Sequence, residues 1–166
     1  MGDYDIDGVC STYLLYRGLT RCGGQVDYQI PERIRDGYGI NESIIQKAKE
    51  DGIDTIVTCD NGIAALEQIK LAKELGMTVI VTDHHEVVRA EDGSQILPQA
   101  DAVVKPAQGR LFVPVCRNLR RCGCVQAGAG ALRSIWTGGV RGRLFYRKCR
   151  FLATVGDVMD LQGEKP

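Results

Sequence analysis

The chain has only two histidines, and they are adjacent: His84 and His85 follow Asp83 directly in "VIVTDHHEV" (79–87). A buried structural imidazole rarely needs a twin. Two of them, set after a carboxylate at the end of a β-branched run, suit a metal or phosphate site. A second acidic group opens the chain, where "GDYDIDG" (2–8) sets Asp3, Asp5 and Asp7 at alternate positions. In an extended segment these carboxylates share one face, with successive Cα atoms roughly 6.5 Å apart. The same pattern begins a calcium-binding EF-hand loop, but that loop requires a bidentate Glu at its twelfth position, where Leu14 stands. Asp7-Gly8 could also do no more than turn the chain and cap the helix after it.

Asp5, Asp7, Asp60, Asp83, His84 and His85 together form a mixed carboxylate and imidazole set. Several hard oxygens with one or two nitrogens suit Mn²⁺ or Mg²⁺ better than zinc. A carboxylate that bridges two such ions, about 3.5–4 Å apart, is the usual device for in-line attack on phosphorus. One histidine would then bind metal while its neighbour, turned another way, meets phosphate.

The elements between these residues must bring them together. Residues 9–22 predict a helix closed by Gly23-Gly24, and "QVDYQIP" (25–31) predicts a short strand stopped by Pro31. Asn41 or Ser43 suits the cap of a helix running to about Glu50. "DTIVTCD" (54–60) predicts a strand, "AALEQIKLAKELG" (64–76) an amphipathic helix, and "MTVIVTD" (77–83) a second strand. Strand, helix, strand in that order implies a parallel sheet flanked by helices, an α/β fold. Ligands gather at the carboxyl ends of such strands, and Asp60 and Asp83 both fall there.

A length of 166 residues suits one domain or a piece of a larger protein. Lys plus Arg and Asp plus Glu balance at 21 each, but ten of the bases lie in residues 109–150, which hold no acid. The rest carries 11 bases against 21 acids, as ordinary soluble domains do. No 18-residue apolar run and no signal-peptide pattern is present, so no membrane partner is expected. Seven cysteines without C-x-x-C pairs argue against a zinc ribbon, and their scatter fits reduced thiols in a cytoplasm.

Five ordered stretches carry a resemblance to a known family: "GDYDIDGVCST" (2–12), "PERIRDGYGIN" (31–41), "TCDNGIAA" (58–65), "VIVTDHH" (79–85) and "ATVGDVMDL" (153–161). They resemble the DHH phosphoesterase superfamily, and within it the exonucleases specific for single-stranded DNA. The resemblance covers residues 1–108 and 151–164. Other branches, the small-substrate phosphatases and oligoribonucleases, usually carry a histidine at the place of Met1 and lack the P-x-R-x-x-x-G-Y-G element. Those branches and a non-catalytic DHH-fold binding protein are the rival readings. The resemblance implies Asp5, Asp7, Asp60 and Asp157 as metal-binding carboxylates, with His84 as a further ligand to two Mn²⁺ or Mg²⁺ ions. It implies that His85 contacts the scissile phosphate and that Asp83 orients the site. Arg33, in the loop leading to Gly37, Tyr38 and Gly39, would grip the DNA backbone, because a planar guanidinium holds phosphate oxygens in pairs. The implied activity is hydrolysis of phosphodiester bonds in single-stranded DNA during recombination and repair, with single-strand-binding or repair proteins as possible partners.

Residues 109–150 match nothing in that family and hold four cysteines, seven glycines and the only tryptophan. They read as a basic nucleic-acid-binding insert or, preferably, as an out-of-frame translation beginning near Gly109 and restored by Phe151. Three further departures follow from the resemblance: the end of the family's first central strand falls at Met1, and the DHHA1 and OB-fold domains are absent. The chain is therefore expected to be a partial catalytic domain and, as written, not a competent exonuclease.

Overall fold

A computed structural model describes residues 1–31 and 39–105 of the chain. Helix α1 spans Ile6–Arg21, α2 Glu42–Glu50 and α3 Leu66–Glu74. Strands β1 (Thr55–Val57), β2 (Thr78–Thr82) and β5 (Ala102–Val104) form a parallel sheet in the order β1-β2-β5, with Ile56 beside Val79 and Val81 beside Val103. A small antiparallel hairpin joins β3 (Val88–Arg89) to β4 (Gln95–Ile96). The expected parallel sheet flanked by helices is thus present. No helix among the described residues is long and apolar enough to cross a membrane.

The sheet is held on one face by the apolar side chains of its central strand. Val79 and Val81 of β2 are buried and join a core with Ile45 of α2, Ile56 of β1, and Ile69 and Ala72 of α3. Burying each such side chain contributes about 1.5–3 kcal/mol before chain entropy opposes it. Helix α2 starts where Asn41 accepts a hydrogen bond from the Ile44 amide at 2.9 Å, so the first of the two expected caps is the one used. Asp101 anchors the far end of the sheet by accepting from Lys73 Nζ and from the Val79 amide, each at 2.7 Å.

Three expectations are corrected. Helix α1 begins at Ile6, before residue 9, and its cap is Asp5, which accepts from the Gly8 amide at 2.7 Å; Asp7 lies in the first turn. The acidic segment is therefore not one extended face. Residues 25–31 form no strand, because one backbone bond, from the Gly2 amide to the Gln29 carbonyl, ties them sideways to the chain. The ladder that would make them a strand is missing. The 64–76 helix is shorter at both ends, and β3, β4 and β5 had no counterpart in the sequence reading. Arg33, Gly37, Tyr38, Asp157 and the basic stretch 109–150 lie outside the described residues.

Candidate metal centre

The site is built at the carboxyl ends of β1 and β2. Beyond β1 the Asp60 amide still donates to the Thr82 carbonyl at 3.0 Å, so Asp60 is held level with the end of β2. There the backbone turns sharply: Asp60 has φ of 64°, the one left-handed non-glycine among the described residues. Such a backbone is costly for a side chain and recurs at functional sites. The turn is braced from both sides. Thr58 Oγ1 donates to the Asn61 carbonyl at 2.7 Å, and Asn61 Nδ2 donates to the Gly2 carbonyl at 2.7 Å. Gly62, at φ of 105°, packs so close to Thr58 that an added Cβ would come within 2.9 Å of its hydroxyl.

At the end of β2, Asp83 is buried and makes three bonds. Its Oδ2 accepts from the Ile63 amide at 2.9 Å, while Oδ1 accepts from the His85 amide at 3.0 Å and pairs with His85 Nδ1 at 2.7 Å. Burial opposes the Asp83 charge, but the bonds from the His85 ring, the His85 amide and the Ile63 amide outweigh it and hold the carboxyl below its ordinary range. The bond to Asp83 in turn raises the His85 imidazole to about 9, against the pull of burial. The bond to Asp83 thus sets the direction of the His85 ring.

His84 turns the other way. Its Nε2 lies 2.8 Å from Asp60 Oδ1 and 3.9 Å from Asp7 Oδ2. The two imidazole rings remain neighbours, with centroids 4.6 Å apart and planes tilted by 39°. Donor atoms of Asp60, His84 and His85 all lie within 4.8 Å of one another. Asp7 reaches this cluster because the first turn of α1 sits against it, where Gly8 lets the helix approach the backbone of Asp3; a Cβ there would meet the Asp3 carbonyl oxygen at 2.5 Å. Burial pushes the Asp5 carboxyl up; the Gly8 amide opposes this, while the charges of Asp60 and Asp3 add to it.

The structure thus brings Asp60, His84 and His85 together with Asp7 close to His84, sets Asp5 beside Asp60, and pairs His85 with Asp83 as well. Gly39 has φ of 83°, a backbone that favours glycine, and lies two residues before the cap of α2. Thr58 and Asn61, which shape the Asp60 turn, were not singled out from the sequence, although both lie in the "TCDNG" stretch. Nor was Lys105, whose amine donates to the His85 carbonyl from just beyond β5. Buried carboxylates this close repel one another, and a cation relieves them. Adjacent ligands of an octahedral cation with bonds of about 2.1 Å stand roughly 3 Å apart, near the 2.8 Å between His84 and Asp60. The donor set fits a hard divalent ion.

Curated relatives match much of this chain. The chain is 48% identical over 107 residues to the single-stranded-DNA-specific exonuclease RecJ of Bacillus subtilis, which covers 64% of this chain and 13% of that protein. It is 40% identical over 123 residues to the RecJ of Salmonella typhimurium, covering 74% of this chain and 18% of the relative. The chain therefore spans less than a fifth of the length of either. Among solved structures, an exonuclease RecJ bound to manganese matches with a TM-score of 0.72 and 29% identity, over 98% of this chain and 39% of the other. RecJ of Thermus thermophilus in complex with Mn²⁺ matches with a TM-score of 0.65 and 27% identity, over 98% and 22%. A family model, the N-terminal domain of the DHH family, matches residues 1–124, three quarters of the sequence, and by that match the chain belongs to the DHH family.

Proposed function

We propose that this chain carries the metal-binding part of a single-stranded-DNA exonuclease that hydrolyses phosphodiester bonds with Mn²⁺ or Mg²⁺. The observation that carries the reading is the meeting of Asp7, Asp60 and His84 from three separate elements at the carboxyl ends of β1 and β2. Asp5, Asp7, Asp60 and His84, joined by Asp157 from the later part of the chain, would hold two ions. When bound, such ions supply a hydroxide near neutral pH and offset charge on the attacked phosphate. Asp83 holds His85 in its protonated form and fixes the direction of its ring, so that the outer N–H donates to a phosphate oxygen. Arg33, with the loop Gly37, Tyr38 and Gly39, grips the DNA backbone. The chain acts through its DHH domain in a cytoplasm.

Two measurements test this. Mn²⁺ titrated into residues 1–166 should bind, and Asp60→Ala should abolish that binding. The protein that carries this chain should release nucleotide from 5′-labelled single strands only with Mn²⁺ or Mg²⁺. Unchanged metal binding in Asp60→Ala, or release undiminished by excess chelator, overturns the reading.

A further inference from the structure

Two lysines near the sheet use the same head group differently. Lys73 donates to both carboxylate oxygens of Asp101, at 2.8 and 2.7 Å, and so forms an ordinary ion pair. Lys105 donates to the His85 carbonyl and forms no ion pair among the described residues. Its charge is thus set against a backbone oxygen of the candidate site, where a carboxylate would be the usual partner.

The sheet explains how Lys105 comes to be there. Strands β2 and β5 run parallel with Thr82 beside Val104. One residue further on, the Asp83 amide donates to the Val104 carbonyl at 3.2 Å. Lys105 is the next residue of β5's chain, and the proline after it in the sequence favours an extended backbone at position 105. The chain therefore leaves β5 level with Asp83, His84 and His85. From there the half-buried lysine stem crosses to His85, its apolar length covering the gap and only its tip polar. The end of β5 thus grips this segment twice, by backbone at Asp83 and by side chain at His85.

We propose that Lys105 is a positioning residue for His85, its ammonium clamping the His85 carbonyl to the end of β5 so that the imidazole keeps one place beside the metal-binding carboxylates. The other two holds on His85 are local. Its amide and its ring Nδ1 both bond Asp83 Oδ1, at 3.0 and 2.7 Å, from two residues earlier in the same segment. Lys105 adds an anchor from a different strand, at the third polar group of the residue. Without that donor the peptide after His85 is free to rotate, and the backbone from which the ring projects moves with it. A shift of about 1 Å in a group that meets the reacting phosphate can cost on the order of a hundredfold in rate. The inference rests on the reading of His85 as the group that meets phosphate, and extends it to a residue outside the metal and phosphate sets.

The experiment compares Lys105→Met, which keeps the stem and removes the donor, with Lys105→Arg, which keeps a donor. In the full chain, hydrogen exchange of the His85 amide should quicken at least roughly tenfold in Lys105→Met. The Val81 amide, in the centre of the sheet, should keep its rate, and Lys105→Arg should behave as the wild type. In the protein that carries this chain, Lys105→Met should lower kcat about 10–100-fold. KM for single strands and Mn²⁺ affinity should stay within about twofold, and Lys105→Arg should recover most of the rate. The exchange measurement needs no activity: failure of the wild type to release nucleotide would overturn the exonuclease reading, while exchange alone would still decide the clamp. Unchanged exchange at His85, equal quickening at Val81, or an equal loss in Lys105→Arg overturns the proposal. A raised KM at unchanged kcat also overturns it, by making the ammonium a direct contact to the strand.

Discussion

His84 and His85 are neighbours in the chain but belong to different parts of the site. His84 reaches out to Asp60 after β1 and towards Asp7 in α1, so its setting depends on three elements arriving together. His85 folds back onto Asp83, two residues earlier, and would keep that partner in a much smaller piece of structure. The difference separates two kinds of order. The His84 group is a product of the tertiary fold and gathers negative charge, which calls for a cation. The His85 pair is locally made and already balanced, which suits a group held charged and in one direction.

The sharpest break in this contrast is at Asp60. Replacing Asp60 with Asn should lower divalent-metal affinity by more than about 100-fold, beyond the roughly 10–100-fold typical of losing an outer partner of a ligand, and should abolish hydrolysis in a full-length version. Calorimetric Mn²⁺ titration and strand release measure both, and retained affinity would make Asp60 a bystander. Next is the local pair. Asp83→Asn and His85→Ala should each reduce turnover about 10–100-fold while leaving metal content much closer to normal. Metal analysis beside kinetics decides this, and equal loss of both would move His85 into the ligand set.

The third prediction uses pH on metal-free protein. The folded His85 is raised to about 9 from 6.5, so the stability its pair contributes is complete below about pH 6.5 and is lost as pH rises through about 9. Asp83 is lowered from 3.8, so the same interaction is also lost as acid protonates it below that value. In chelator-treated samples the denaturation midpoint of the wild type should exceed that of Asp83→Asn at pH 6, and the gap should narrow by pH 9.5. A gap that widens would assign the pair the wrong sign. The smallest effect is a control outside both groups. Asn41→Ala removes the cap of α2 and should cost about 1 kcal/mol of stability with no change in metal affinity.

Much of the site was legible because its residues sit where a parallel sheet must put them. The β-branched runs before Asp60 and Asp83 end two adjacent parallel strands, and that alone brings the carboxylates level. The acidic N-terminus was harder. Alternation in "GDYDIDG" suits an extended segment, but Asp5 satisfies an amide of the first helical turn, and that bond starts α1 three residues early. Strand β5 has three residues and β3 and β4 two each, too short for any period to show. The bracing of Asp60 by Thr58 and Asn61 escaped for another reason: it is a matter of a single backbone angle, which no residue pattern displays.

That angle also limits what can ever stand at position 60. A left-handed backbone is tolerated by glycine, asparagine and aspartate and resisted by nearly everything else, β-branched residues most of all. Random change at this position therefore has few exits that keep the turn: one that deletes the side chain, and one that keeps its outline while erasing its charge. Losing the activity without losing the fold is thus a narrow path, and a chain that had drifted away from its chemistry would be expected to show Asn or Gly here. Aspartate still occupies it.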